Sequence, residues 1–293
     1  MQSSYYPSDA FINRGGAIAV AVKHVDAVYL SPHLDDAAFS CGGQISQAAA
    51  AGAEIVIATL MAGEPPAGPV GGMARRVLAR GRPFRRRQED LRACLVLGCG
   101  AAHLAAPDCV FRLDPATRKP LYASRASVFG PPAAADSGMI AELCAELERL
   151  FAPCDVVAPL GVGGHVDHLI TRQVGEIWGG ETVRYYEDFP YIEEPGSLEA
   201  ALGAPEDWIG EVIPLSPQAM KARVCASGCF RTQAGMDGRL GLRMIDHILQ
   251  TGGERLWRRR PASSDGARLE GTAHAGHDPG PIPGCGLPVQ SHG

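Results

Sequence analysis

The sequence predicts an α/β fold built on a mostly parallel sheet flanked by helices. Three observations lead there. Short apolar runs alternate with stretches of helical periodicity along most of the chain. Two of those runs, at 27–30 and 155–160, end on the same plan of a turn followed by histidine and aspartate. Hydrophobic residues make up 46% of the 293 positions, ample for a large core.

The first strand is expected at 27–30, closed by Ser31 and Pro32, with a small-residue helix at 37–51 behind it. A second apolar run at 54–61 and a third around 103–104 bracket a helix at 85–97, basic at its start and apolar later. Between them, 63–72 reads as a Pro/Gly-rich loop leaving the sheet edge, followed by Arg75, Arg76, Arg80, Arg82, Arg85, Arg86 and Arg87. That run is either a solvated basic face or a wall of a substrate cleft with Arg86 reaching an anionic or polyhydroxyl ligand. The segment 111–135 has the length and composition of a lid. Ile140, Leu143, Leu147 and Leu150 form one stripe of a helix at 137–151. The run 155–160 is a strand, 168–178 a helix and 182–186 another strand, and Ser216-Pro217 opens a capped helix reaching about 225. From 259 to 293 Pro, Gly, Ser and His replace periodicity, so a single domain at 1–258 with a disordered tail is expected.

The chemistry concentrates at the ends of two strands. His33, Asp35 and Asp36 follow the first, and His165, Asp167 and His168 follow Gly161-Val-Gly-Gly164 after the fourth. Ligands of open α/β sheets sit at the carboxyl ends of strands. Imidazole with carboxylate suits a divalent metal such as zinc. His33, Asp36 and one histidine of the second motif would make a three-ligand site with an open position, the pattern of catalytic centres. Asp35, tethered beside a ligand, is placed to move protons. If the turn before 168 is already helical, His165 would share a helical face with His168. Tyr186 and Glu187, at the end of the strand 182–186, would suit the C–H face and hydroxyls of a sugar.

Pro-His-Leu-Asp-Asp at 32–36 and His-Val-Asp-His at 165–168 resemble the two signatures of the PIG-L/LmbE-like deacetylases. Arg86-Arg-Gln-Glu89 running to Leu97-Gly98, Pro107-Asp108, Tyr185 to Pro190, and Glu254-Arg-Leu-Trp257 are similar to further landmarks of that family, so the likeness spans about 24–258. The resemblance implies a Rossmann-like fold and zinc-dependent removal of acyl groups from N-acylated amino sugars. It implies one Zn2+ per chain, or another divalent metal, on His33, Asp36 and His168. Asp35 takes the place of the general base and then acid, and His165 that of the group stabilising the oxyanion or protonating the leaving amine. Asp167 would orient a ligating histidine, and Asp108 would contact substrate. Leu34 and Ala37 depart from the commoner His-Pro-Asp-Asp-Glu form and resemble a subgroup. Gly163 stands where some members carry a tyrosine that helps the oxyanion.

A net charge of −5 argues against a nucleic-acid partner. The apolar stretch 17–22 is too short to span a membrane, and no basic leader is visible, so a cytoplasmic enzyme is expected. Nine cysteines without paired spacing read as buried thiols. The expected substrate is a small N-acyl amino sugar or glycoside from natural-product or cofactor biosynthesis; a non-sugar amide or thiol conjugate is the alternative. A non-catalytic Rossmann-like binder is disfavoured, because no Gly-x-Gly-x-x-Gly follows the first strand. The sequence does not speak to the oligomeric state.

Overall fold

The computed structural model describes residues 24–67, 70–234 and 239–261. In chain order, β1 (Ala27–Ser31) precedes α1 (Asp36–Ala50), and β2 (Ile55–Thr59) precedes α2 (Gly72–Arg80) and α3 (Pro83–Leu97). β3 (Gly100–His103) leads through α4 (Arg125–Val128) to α5 (Ser137–Leu150), and β4 (Asp155–Pro159) leads to α6 (Val166–Gly179). After β5 (Arg184–Tyr186) come α7 (Ser197–Leu202), β6 (Trp208–Ile213), α8 (Pro217–Ser227), α9 (Arg231–Ala234), α10 (Leu240–Thr251) and β7 (Glu254–Arg259).

The sheet has seven strands in the order β3-β2-β1-β4-β5-β7-β6. The first five are mutually parallel, in the order expected of consecutive right-handed βαβ crossovers. β7 is antiparallel to both β5 and β6. β1 pairs with β2 on one side and β4 on the other, with Val28 opposite both Val56 and Val156. That central position makes β1, β2 and β4 almost uniformly apolar, as a sheet buried on both faces requires. One face packs Leu30, Ala158, Leu147, Ile170 and Val174 beneath α5 and α6. The other packs Ile57, Phe39, Ile45, Leu97, Ala226 and Met244 beneath α1, α3, α8 and α10. Each fully buried Leu, Ile or Val adds roughly 1.5–3 kcal/mol of transfer free energy. Because β1 and β4 are adjacent and parallel, their carboxyl ends bring 33–36 and 165–168 to one edge.

Several boundaries differ from expectation. β2 stops at Thr59, and Met61 instead makes a single antiparallel bridge to Ala105. The arginine run does not form one helix face; it divides between α2 and α3 at Gly81-Arg82, and Pro83 takes the first helical position of α3. The 111–135 segment is no open lid, since Phe111, Tyr122 and Val128 are buried in the core. β6, β7 and α10 were not anticipated, although Leu240, Met244 and Ile248 recur at helical spacing and are buried. β7 matters to α1 as well. The Glu254 carboxylate accepts the Gly43 and Gln44 N–H groups at 2.9 and 2.7 Å, just after the break in helical geometry at Cys41.

The described cysteines are free thiols, and five of them (Cys41, Cys94, Cys99, Cys109 and Cys144) are buried. Among the described residues no helix is long and apolar enough to cross a membrane. The stretch 17–22, residues 262–293 of the expected tail, its histidines (His274, His277, His292) and Cys285 lie outside the described residues.

Candidate active site

The turn after β1 is tied down locally before it does any chemistry. Ser31 donates its hydroxyl to the His33 carbonyl at 2.6 Å and accepts the Ala37 N–H at 3.1 Å. Asp36, in the first turn of α1, folds back to accept the His33 backbone N–H at 2.8 Å. Its Oδ2 lies 3.1 Å from His33 Nδ1 and 3.4 Å from His168 Nε2. One carboxylate oxygen thus faces a ring nitrogen of each histidine.

The remaining ring nitrogens are held by two buried carboxylates. His33 Nε2 is 2.9 Å from Asp167 Oδ2. His168 Nδ1 is 2.7 Å from Asp188 Oδ1. Asp188 Oδ2 also accepts the Gly161 and Val162 N–H groups at 2.8 Å each. Asp188 is therefore an acceptor, and His168 Nδ1 carries the proton. His168 Nε2 is buried, makes no hydrogen bond and stands 3.4 Å from Asp36 Oδ2, so on the neutral ring it presents a lone pair to the site. Carboxylate-held imidazoles of this kind are characteristic of metal-ligating histidines. His33, Asp36 and His168 offer donor atoms within 4.8 Å of one another, and their N2O chemistry fits a divalent cation. Two other groupings meet the same distance, His33–His165–Asp167 and Asp108–Cys109–Asp167. Both depend on Asp167, whose oxygens are already engaged by His33, the Cys109 N–H and Arg112.

The electrostatics agree with a site that attracts positive charge. Burial works against the imidazolium of His33, yet bonds to Asp167 and Asp36 raise its pKa well above the usual range. Burial alone would raise the Asp36 pKa, but His168 and His33 hold it below the usual carboxylate range. Asp35 behaves oppositely: burial pushes its pKa up to about 6, with Arg86 opposing and Asp36 adding to the rise. Arg86 donates to Asp35 Oδ1 at 3.2 Å.

His165 does not share a helical face with His168. It is the N-cap of α6, in extended backbone, and its Nδ1 accepts the Asp167 N–H at 3.2 Å. The ring still reaches the cluster, with its centroid 5.1 Å from that of His33 and 5.3 Å from that of His168. Burial and then His33 lower its pKa to about 3, so the ring is neutral.

These groups open into a cleft of about 390 Å³ lined by His33, Asp35, Asp36, Arg86, Asp108 and His165, with Phe39, Val77, Arg80, Tyr191, Leu240 and Arg243 among the outer walls. Asp108 caps a short turn through the Val110 N–H, and its Oδ2 stands 3.8 Å from His33 Nε2.

Two expected cleft residues lie elsewhere. The Tyr186 hydroxyl donates to the Leu30 carbonyl at 3.0 Å in the core. Glu187 accepts from Trp257 Nε1 at 2.9 Å and Arg255 at 3.0 Å on the β7 side. Tyr186 is the last residue of β5 and turns into the core, whereas Glu187, just past the strand, turns to β7. Tyr191 lines the cleft instead, its ring 5.4 Å from His168. It occupies the space over Gly163: at φ +84° this glycine would, with a Cβ, meet the Tyr191 ring at 2.7 Å. Asp188 was missed as the partner of His168; the one signal available was an acid just past the strand next to β4.

Residues 28–178, just over half of the chain, match a family described as "PIG-L: GlcNAc-PI de-N-acetylase". A 2'-N-acetylparomamine deacetylase of Streptomyces fradiae is 34% identical over 185 residues, which are 58% of this chain and 59% of that protein. A protein of the same description from Niallia circulans is 25% identical over 191 residues, 57% of this chain and 68% of its own. Among solved structures, a deacetylase–teicoplanin complex has a TM-score of 0.67 at 25% identity. A zinc-inhibited form of teicoplanin deacetylase Orf2 has a TM-score of 0.68 at the same identity. Each covers 82% of this chain and 100% of its own.

Proposed function

Because this chain belongs to the PIG-L family, we propose that it is a metal-dependent amide hydrolase that removes an acyl group, acetyl in the simplest case, from an amino sugar within a glycosylated small molecule of natural-product biosynthesis. The observation that carries this is the pair of histidines, each held through one ring nitrogen by a buried carboxylate and turned toward Asp36, with Asp35 beside them in an open cleft. His33, Asp36 and His168 would hold one divalent metal, zinc in the first instance. Such an ion polarises an acyl carbonyl and makes water acidic enough to act near neutral pH.

The chain supplies the proton handling. Asp35 takes a proton from the attacking water and passes it to the departing amine nitrogen, a role helped by the upward shift of its pKa toward neutrality. Arg86 keeps the Asp35 carboxylate aimed. The neutral His165 can donate from its free Nε2, because Nδ1 is occupied as acceptor of the Asp167 N–H. The Tyr191 ring stands over Gly163 on the cleft wall, and its phenol, kept protonated because burial pushes its pKa up, would serve as a second donor.

The test is amine release from a panel holding 2'-N-acetylparomamine, N-acyl glucosaminyl glycosides, free N-acetylglucosamine and non-sugar amides. Each is assayed with zinc, cobalt, nickel and manganese at substoichiometric and excess levels, since a related enzyme is described in a zinc-inhibited form. Release confined to N-acyl amino sugars supports the proposal. Turnover of the non-sugar amides alone would overturn it. In the same assay Tyr191→Phe should lower kcat/KM by about tenfold or more, whereas Tyr186→Phe and Glu187→Gln should lower the unfolding midpoint and leave kcat/KM within about threefold. Loss of activity in the latter two at full metal content would return them to the cleft.

A further inference from the structure

Arg112 is 6% exposed and belongs to no motif, yet it joins the metal-site residues to the segment that follows β3. Its NH2 lies 2.7 Å from Asp167 Oδ1 and its Nε 3.2 Å from Asp136 Oδ1. NH1 donates to the Pro107 carbonyl at 3.3 Å, and the guanidinium sits over the Tyr122 ring at 5.0 Å from its centroid. Tyr122 in turn donates its hydroxyl to Asp136 and accepts the Ala133 N–H at 2.8 Å. One side chain therefore ties both ends of 107–136 to the first turn of α6. The carboxylate contacts are ionic and lie off the hydrogen-bond line, so charge and position supply their strength.

Asp167 is wholly buried, and its two oxygens are held from three sides: Oδ2 by the His33 ring and the Cys109 N–H at 2.9 Å each, and Oδ1 by Arg112. Without Arg112, Asp167 Oδ1 would lose its ionic partner and the carboxylate could rotate, so His33 would lose the acceptor that fixes its Nε2 and leaves its Nδ1 facing Asp36. Resting on the metal centre described above, we propose that Arg112 is a positioning residue that sets metal affinity by clamping Asp167 against His33. The same clamp holds Asp108, which opens the turn leading to Arg112, in the cleft wall. Metal loading and the seating of that wall are thus coupled through one guanidinium.

The test is the zinc dissociation constant of the full chain, measured by competition with a chromophoric chelator without substrate, beside the urea midpoint of the metal-free form. Arg112→Met is expected to raise the constant about 10–100-fold. Arg112→Lys keeps a charge but cannot span two carboxylates, so it should fall between wild type and Met. Arg223→Lys is the comparator for general loosening, since Arg223 is a buried arginine paired with Glu254 that touches none of the three ligands. Any folded Arg112 variant with the wild-type constant overturns the proposal, as does an equal rise in Arg223→Lys. Should neither Arg112 variant fold, Asp136→Asn decides: it weakens the far anchor, which Arg112 shares with the Tyr122 hydroxyl, while leaving Arg112 and Asp167 in place, and an unchanged constant there also overturns the proposal. A wild-type chain that binds no zinc would instead overturn the metal centre itself.

Discussion

Asp35→Asn is expected to keep its fold and its metal while kcat falls by about 10²–10⁴-fold. The substitution is nearly isosteric and leaves an acceptor toward Arg86, which donates to Asp35 Oδ1 at 3.2 Å. It also leaves untouched the three groups whose donor atoms converge, His33, Asp36 and His168. What disappears is a carboxylate able to accept a proton and return it. Burial pushes the pKa of that carboxylate to about 6, well above the aspartate norm and nearer the pH at which such an exchange must run in both directions. The paired measurement is metal content by mass spectrometry and initial rate at saturating substrate. Full metal with a rate within threefold of wild type would remove Asp35 from the chemistry. Loss of metal together with activity would instead make it a ligand.

The second large effect concerns the ligands and should be graded by position. His33→Ala, Asp36→Ala and His168→Ala are each expected to abolish bound metal and activity together. Asp188→Asn should weaken metal binding by about 10–100-fold and be rescued by added metal. The reason is geometric. The ligand variants delete a donor, whereas Asp188→Asn leaves His168 in place and loses the anionic acceptor 2.7 Å from its Nδ1. Asp188 also braces the Gly161 and Val162 N–H groups, so part of its cost should appear as a lower unfolding midpoint. His33→Ala retaining stoichiometric metal would mean that the centre lies elsewhere.

Much of this site was legible in the chain because its first layer is local. A strand, a turn and a helix start can be recognised within a dozen residues, and His33, Asp35 and Asp36 sit inside one such unit while His165, Asp167 and His168 sit inside another. The parallel order of β1 and β4 then makes their meeting a consequence of the α/β pattern. Helix bounds were equally readable where a stripe or cap marked them, as at Ile140 to Leu150 and at Ser216, whose hydroxyl accepts the Ala219 N–H.

Tertiary structure alone decided which side chain faces which. His165 would have shared a helical face with His168 only if the turn before 168 were helical up to it; α6 begins at Val166, after the glycine turn at 161–164, and leaves His165 as an extended N-cap. Tyr186 and Glu187 look like sugar contacts but are consumed by Leu30, Trp257 and Arg255, partners supplied by strands distant in sequence. Tyr191 reaches the cleft only because Gly163 offers no side chain to exclude it. Asp188 and Arg112 find their partners across loops whose paths no periodicity encodes. Strand, cap and turn preferences are short-range, so the α/β alternation and the residues that could bind a metal are readable along the chain. The second partner of each histidine, the antiparallel β6–β7 edge and the cleft walls were decided by packing. Their energies come from contacts between segments tens to hundreds of residues apart, which exist only once the core has closed.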